Sequence, residues 1–274
     1  MNAVATSGIE RLAAAFRDTD KRAALMPYLM GGFPTLEESV RIGEAYVRAG
    51  ADVIELGMPY SDPLADGPVI HAAATRALAA GASVAGVLEV ARVLADSVPV
   101  VLMCYVNMVF APGVEAFVER LARSGACGLI VPDLPHGEAP EVREACERHG
   151  LALVPLVAPT TTPERLRAIG ADARGFIYTV SVVGTTGERG SLGDAFVEVV
   201  ARARAGTSAP VAVGFGIATP EQAAQAADAG ADGVIVGTRL VRAVDEADDP
   251  AGAAGALVAA LAAGLAPTDR RAAR

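Results

Sequence analysis

Eight short apolar runs, most of them rich in β-branched residues, recur along the chain, and each leads into a loop of Gly, Pro, Asp or Ser and then an Ala- and Arg-rich stretch. The runs are Ala24–Met30, Val53–Glu55, Pro99–Met103, Gly128–Val131, Ala152–Leu156, Gly175–Tyr178, Pro210–Val213 and Gly233–Val236. Uninterrupted apolar runs of this length imply strands buried on both faces, which a parallel sheet under helices requires. Helical stretches fill the gaps at Leu36–Ala49, His71–Ala80, Val84–Ala95, Val114–Arg123, Ala139–His149, Pro163–Ile169, Leu192–Arg204 and Pro220–Ala229, with a last one from Pro250 to about Leu265. Eight strands alternating with helices predict an α/β fold of the (β/α)8 TIM-barrel type. A doubly wound open sheet is the alternative. It is disfavoured because the glycine-rich loops suited to phosphate lie late in the chain and not after the first strand.

Three helical stretches end in a similar phrase: Arg48 to Asp52, Arg123 to Cys127 and Asp228 to Asp232. The central glycine of each supplies a left-handed helix C-cap before the next strand, so the recurrence is structural. Ahead of the first run, Ile9, Leu12, Ala13 and Phe16 form one apolar face, predicting an extra helix over about residues 2–17 that closes the bottom of the barrel. The tail from about 266 to 274 is polar and expected to fray. No linker interrupts the chain, so residues 1–274 are read as one domain.

Composition narrows the functional classes. The chain is 52% hydrophobic and 20% charged with a formal net charge of −9. That balance supports a globular core and argues against nucleic acid or an anionic membrane as the main partner. Cys104, Cys127 and Cys146 are odd in number and widely spaced, so neither a disulfide frame nor a zinc site is indicated. With no signal pattern and no bilayer-length apolar stretch, a cytoplasmic protein without a bound metal is expected.

Chemistry concentrates in the stretch Glu55–Pro68, which holds three carboxylates, three prolines and two glycines directly after Val53-Ile54. Barrel enzymes place catalytic groups at the C-terminal ends of strands, and two carboxylates held apart by a stiff loop can divide acid and base roles. Glu55 and Asp66 are the candidate pair. Asp62, between Ser61 and Pro63, reads as loop chemistry. Glycine-rich loops follow the last three runs: Gly184-Thr185-Thr186-Gly187, Gly214-Phe215-Gly216 and Gly237-Thr238-Arg239. Each is unspecific alone, but three at the end of a barrel favour a phosphate monoester as ligand. Asn107 and Asp133 read as loop-ordering or partner-facing. His71, His136 and His149 show no triad or metal spacing. Met58 and Tyr60 expose apolar surface in a loop, which fits an interface.

Phe33-Pro34, the whole Glu55–Pro68 stretch, Tyr105-Val106-Asn107, Pro132-Asp133-Leu134-Pro135, Gly184–Gly187 and Gly214–Ile217 together resemble the tryptophan synthase alpha subunit, in order over most of the chain. The resemblance implies cleavage of indole-3-glycerol phosphate to indole and glyceraldehyde 3-phosphate, without metal or organic cofactor in this subunit. It implies that Glu55 is the general acid and base and that Asp66 binds the indole N–H. It places Tyr28, Met103 and Tyr105 in the indole pocket and Tyr178 near the acid. The phosphate would rest on Gly187, Gly216, Gly237 and Thr238, with Gly184 shaping its loop. It also implies a pyridoxal-phosphate β subunit as partner, in an α2β2 heterotetramer that passes indole between sites. Two departures stand out: Glu188–Leu192 looks shorter than in relatives, and Thr238 stands where serine is common, keeping the hydroxyl. A stand-alone indole-releasing lyase would use the same residues. Other phosphate-sugar barrel enzymes and a non-catalytic scaffold are the remaining classes. A Schiff-base aldolase is disfavoured, since the only lysine, Lys21, precedes the first strand.

Overall fold

The computed structural model describes residues 6–180, 194–214 and 216–267. The elements run α1 (Gly8–Arg17), β1 (Ala24–Met30), α2 (Leu36–Arg48), β2 (Ile54–Gly57), α3 (Pro68–Ala79), α4 (Val84–Ala95), β3 (Val100–Met103), α5 (Val106–Phe110), α6 (Val114–Arg123), β4 (Gly128–Ile130) and α7 (Pro140–Arg148). They continue with β5 (Ala152–Val154), β6 (Leu156–Val157), α8 (Pro163–Asp172), β7 (Ile177–Thr179), α9 (Asp194–Ala205), β8 (Val211–Val213), α10 (Pro220–Asp228), β9 (Gly233–Val236), α11 (Thr238–Glu246) and α12 (Pro250–Gly264). All strand pairs are parallel, in the order β5-β4-β3-β2-β1-β9-β8-β7-β6. The two outer strands of that order are consecutive in the chain, separated only by Pro155. The expected fifth run is therefore one strand broken in two: proline offers no N–H to a ladder, so β5 pairs with β4 and β6 pairs with β7. The sheet thus closes through Pro155 into the expected barrel.

Alternation along the strands divides inside from outside. Met26, Val53, Val101, Ile130, Phe176, Ala212 and Ile235 share one buried cluster in the barrel interior, together with Leu12 of α1. The other strand faces pack with the helices in a second, larger cluster. Helix α1 seals the bottom as expected: Leu12 is fully buried, and the Phe16 ring lies 5.4 Å from that of Phe176. Burying one leucine contributes about 2 kcal/mol. The helix begins later than expected, at Gly8, because Ser7 caps it and Glu10 closes a reciprocal capping box. Residues 2–5 and the tail from 268 lie outside the described residues.

The recurring glycine phrase does what its sequence implies. Gly50, Gly125 and Gly230 adopt φ of +97°, +75° and +94°. The aspartates that follow two of them have a further role. Asp52 accepts the Leu25 N–H at 2.6 Å and pairs with Lys21 at 3.0 Å. Asp232 accepts the Val211 N–H at 2.9 Å and pairs with Arg204 at 2.8 Å. Each ties the start of one strand to the loop before its neighbour. Two short elements were not expected: α5 after β3, and α11 directly after β9. Both begin within three residues of a strand end, and so both bear on the site.

Candidate active site

Strand alternation carries side chains onto the cleft floor. Val53, just before β2, and Glu55 and Gly57 on it share the inward face, so Glu55 lies within the strand and not at its end as expected. Its side chain is 1% exposed, and among the described residues neither carboxylate oxygen has a hydrogen-bond partner. Burial first, and the nearby charge of Asp66 second, push its pKa up to about 8. Glu55 is therefore a neutral acid near pH 7.

Asp66 is half-buried, two residues before α3 begins, and lines the same cleft. Burial raises its pKa, but a hydrogen bond from Tyr105 and the charge of His71 act in the opposite direction. The Asp66 charge is in turn the second cause of the raised Glu55 pKa. Two carboxylates in different environments thus line one cleft, an arrangement suited to acid–base work.

Two tyrosines enclose the pair. Tyr28 on β1 is in register with Glu55, and Tyr178 on β7 approaches from across the barrel. Both are buried, and burial together with the Glu55 charge raises both phenols. Each leans over a glycine. A Cβ on Gly57 would stand 2.0 Å from the Tyr28 hydroxyl, and one on Gly214 would stand 2.3 Å from that of Tyr178. Those two glycines make the room in which the phenol heads lie flat.

The cleft encloses about 900 Å³ including solvent at its mouth, and Tyr28, Glu55, Asp66, Met103, Tyr178, Gly216, Gly237 and Thr238 all line it. Gly237 and Thr238 begin α11, where the first N–H groups of a helix have no intrahelical acceptor and suit an anion. Gly216 takes φ of +72°, a conformation that favours glycine. Gly184, Gly187 and the variant segment Glu188–Leu192 lie outside the described residues. Tyr105 is placed differently from the expectation: it is not on the cleft wall but behind Asp66. Its hydroxyl accepts the Ala65 N–H at 3.0 Å, next to Asp66, whose pKa the phenol lowers.

Residues read as loop-ordering behave so. Asp133 accepts the Val106 N–H at 2.8 Å, and Asn107 donates to the Tyr60 hydroxyl at 3.2 Å. Asp62 is exposed and bonded to Ser61. His136 and His149 pair with Asp172 and Glu115 away from the cleft, and Lys21 lies at the opposite end of the barrel with Asp52. Among the described residues no group of three or more His, Cys, Asp or Glu could hold a metal ion. Sequence reasoning missed His71 beside Asp66, and Arg239, which lines the cleft. Arg239 directly follows the glycine-threonine pair after the last strand, and that position beside a candidate phosphate loop was the available signal.

Comparison with known proteins agrees with this geometry. The family model for "Tryptophan synthase alpha chain" matches residues 14–265. The tryptophan synthase alpha chain of Methanosarcina mazei is 49% identical over 229 residues, covering 84% of this chain and 84% of that protein. That of Gloeobacter violaceus is 49% identical over 245 residues, covering 88% of each. The solved structure of Mycobacterium tuberculosis tryptophan synthase superposes with a TM-score of 0.87 at 42% identity, covering 94% of this chain and 99% of that one. A tryptophan synthase alpha subunit from Legionella pneumophila gives a TM-score of 0.85 at 37% identity, over 95% and 99%. With a family model spanning nearly all of the barrel and close relatives matched over most of their length, the chain belongs to the tryptophan synthase alpha chain family.

Proposed function

We propose that Glu55 and Asp66 divide the chemistry of this lyase between them. The family reaction, cleavage of indole-3-glycerol phosphate to indole and glyceraldehyde 3-phosphate in tryptophan biosynthesis, is the reaction of this chain. Breaking the bond from indole C3 to the glycerol carbon needs a proton delivered to C3 and a proton removed from the hydroxyl on that carbon. Glu55, protonated at neutral pH, delivers the first, and the carboxylate it becomes takes the second, so the proton count closes within one cycle. Asp66, ionised, accepts the indole N–H and offsets the positive charge that protonation of C3 puts on the ring. Tyr28, Met103 and Tyr178 flank the indole. Gly216, Gly237 and Thr238, with Gly184 and Gly187, hold the phosphate. The observation that carries the reading is the buried Glu55 carboxyl, which has no hydrogen-bond partner among the described residues and lines one cleft with Asp66.

The alpha-chain identity indicates a β subunit as partner. We place pyridoxal phosphate in that partner and none in this chain, the assembly as α2β2, and the whole in the cytoplasm, with the barrel acting as a single domain. Among the described residues no single helix is long and apolar enough to cross a membrane. Exposed Leu64 and Phe110, in or beside the loops that follow β2 and β3, offer an apolar face for the partner. The deciding experiment measures indole release from indole-3-glycerol phosphate, with and without added β subunit. Release that rises with the partner supports the reading, and equal rates would overturn its regulatory part. Loss of release in Glu55→Gln with an intact fold supports the assignment of roles; retained turnover would sink it.

A further inference from the structure

Three loops meet on the flank of Asp66 away from the cleft. Tyr60 comes from the loop after β2, Tyr105 and Asn107 from the segment after β3, and Asp133 from the loop after β4. The rings of Tyr60 and Tyr105 stack with centroids 5.3 Å apart and planes 30° apart. Asn107 holds the Tyr60 hydroxyl at 3.2 Å, and Asp133 anchors the Val106 N–H at 2.8 Å, fixing the start of α5. The Tyr105 hydroxyl accepts the Ala65 N–H at 3.0 Å. That bond holds the backbone directly before Asp66, and the phenol's proton favours the charged Asp66 carboxylate, lowering its pKa against the effect of burial.

Resting on the reading of Asp66 above, we propose that Tyr60 is a positioning residue for the cleavage: stacked on Tyr105 and tethered to Asn107, it fixes the phenol that aims the Asp66 carboxylate. Tyr60 touches neither Glu55 nor the cleft wall and acts only through Tyr105. Its position explains why two aromatic side chains sit at the root of a catalytic loop whose tip, Ser61 to Ala65, is largely exposed. Without the stacked ring, Tyr105 can rotate about its side-chain bonds, and Asp66 then samples orientations in which it does not face the indole N–H. An aromatic pair and one hydrogen bond together favour the held rotamer by roughly tenfold.

The test uses the full chain with indole-3-glycerol phosphate as substrate. Tyr60→Phe keeps the stack and removes only the tether, so kcat stays within about threefold of the parent. Tyr60→Ala removes the stack: kcat falls about tenfold, KM changes little, and the acidic limb of the kcat–pH profile moves to higher pH because Asp66 loses a bond that favours its charged form. Tyr60→Leu, which keeps apolar bulk without a ring, reads the same way and replaces the alanine variant if that one does not fold. Asp66→Asn separates the two readings. If Asp66→Asn is inactive while the Tyr60 variants keep both the parent kcat and the parent acidic limb, Tyr60 is not a positioning residue. If Asp66→Asn turns over normally, the reading of Asp66 fails first.

Discussion

Glu55 makes the fold less stable as pH rises, and replacing it separates stability from activity. In the unfolded chain its carboxyl titrates near 4.5; in the fold it titrates near 8. Between those values the folded state holds a proton that the unfolded state has lost, so stability falls with rising pH across that window and levels off above it. At about 1.4 kcal/mol per pKa unit, the shift from 4.5 to about 8 corresponds to an upper bound of about 5 kcal/mol. Water drawn toward the buried charge and local relaxation reduce this to about 2–3 kcal/mol. Glu55→Gln keeps the shape and cannot ionise. Its lead over the parent should be small at pH 5, near the foot of that window, and full at pH 9. In a domain of this size that is about 5–10 °C in Tm. Thermal unfolding of both proteins at pH 5 and pH 9 measures the difference, and comparing the two variants cancels every other titrating group. The same variant should release no indole at either pH. A gap between the two proteins that is equal at pH 5 and pH 9 would refute a buried, unpartnered Glu55.

Tyr105→Phe should lower kcat/KM by about 10–100-fold at pH 7, because it strips the Ala65 N–H and Asp66 of one partner each; unchanged steady-state kinetics would exclude that role. Gly57→Ala should displace the Tyr28 phenol into the cleft, costing about 1–3 kcal/mol in urea unfolding and raising KM, since its Cβ would stand 2.0 Å from that hydroxyl. Asp52→Ala should cost about 3 kcal/mol, as it leaves the Leu25 N–H without its acceptor and the half-buried Lys21 with only the exposed Asp20 as a partner. Its turnover per folded molecule should match the parent, because that pair lies at the far end of the barrel from the cleft.

The barrel was legible because its signals are local and repeated. Apolar runs separated by glycine-capped helices recur with little variation, and the left-handed glycines at 50, 125 and 230 follow directly from that phrase. The split at Pro155 could have been read from proline's missing N–H, but the surrounding apolar run masked it. Glu55 and Asp66 were legible as a pair only because they bracket one dense loop. What sequence did not reveal is which groups meet across loops. The family resemblance places Tyr105 in the indole pocket, and the strand pattern places it only after β3. Its true neighbours, Ala65 and Tyr60, arrive from the preceding loop, and only the folded chain sets their distance. The same holds for His71: in sequence it is one turn into a helix, and nothing local says that its charge reaches Asp66.

Acidic residues at the two ends of this barrel are treated in opposite ways, and that contrast locates function better than burial alone. At the N-terminal ends of the strands, Asp52 and Asp232 each hold a backbone N–H and a cation, so their charge is matched and they act as fasteners. On the cleft floor at the other end, Glu55 is more deeply buried than either and has neither kind of partner among the described residues. A buried polar group left unsatisfied costs stability, so a site that only needed to fold would place an apolar side chain there. Gly57 and Gly214 make the expense specific: they give up side chains so that Tyr28 and Tyr178 can lie over Glu55 and keep it dry. Filling in either end with the other's solution would spoil both. A partnered Glu55 would ionise and lose its proton for indole C3, and an unpartnered Asp52 would loosen the strand starts that hold β1 and β2 in register beneath the catalytic pair.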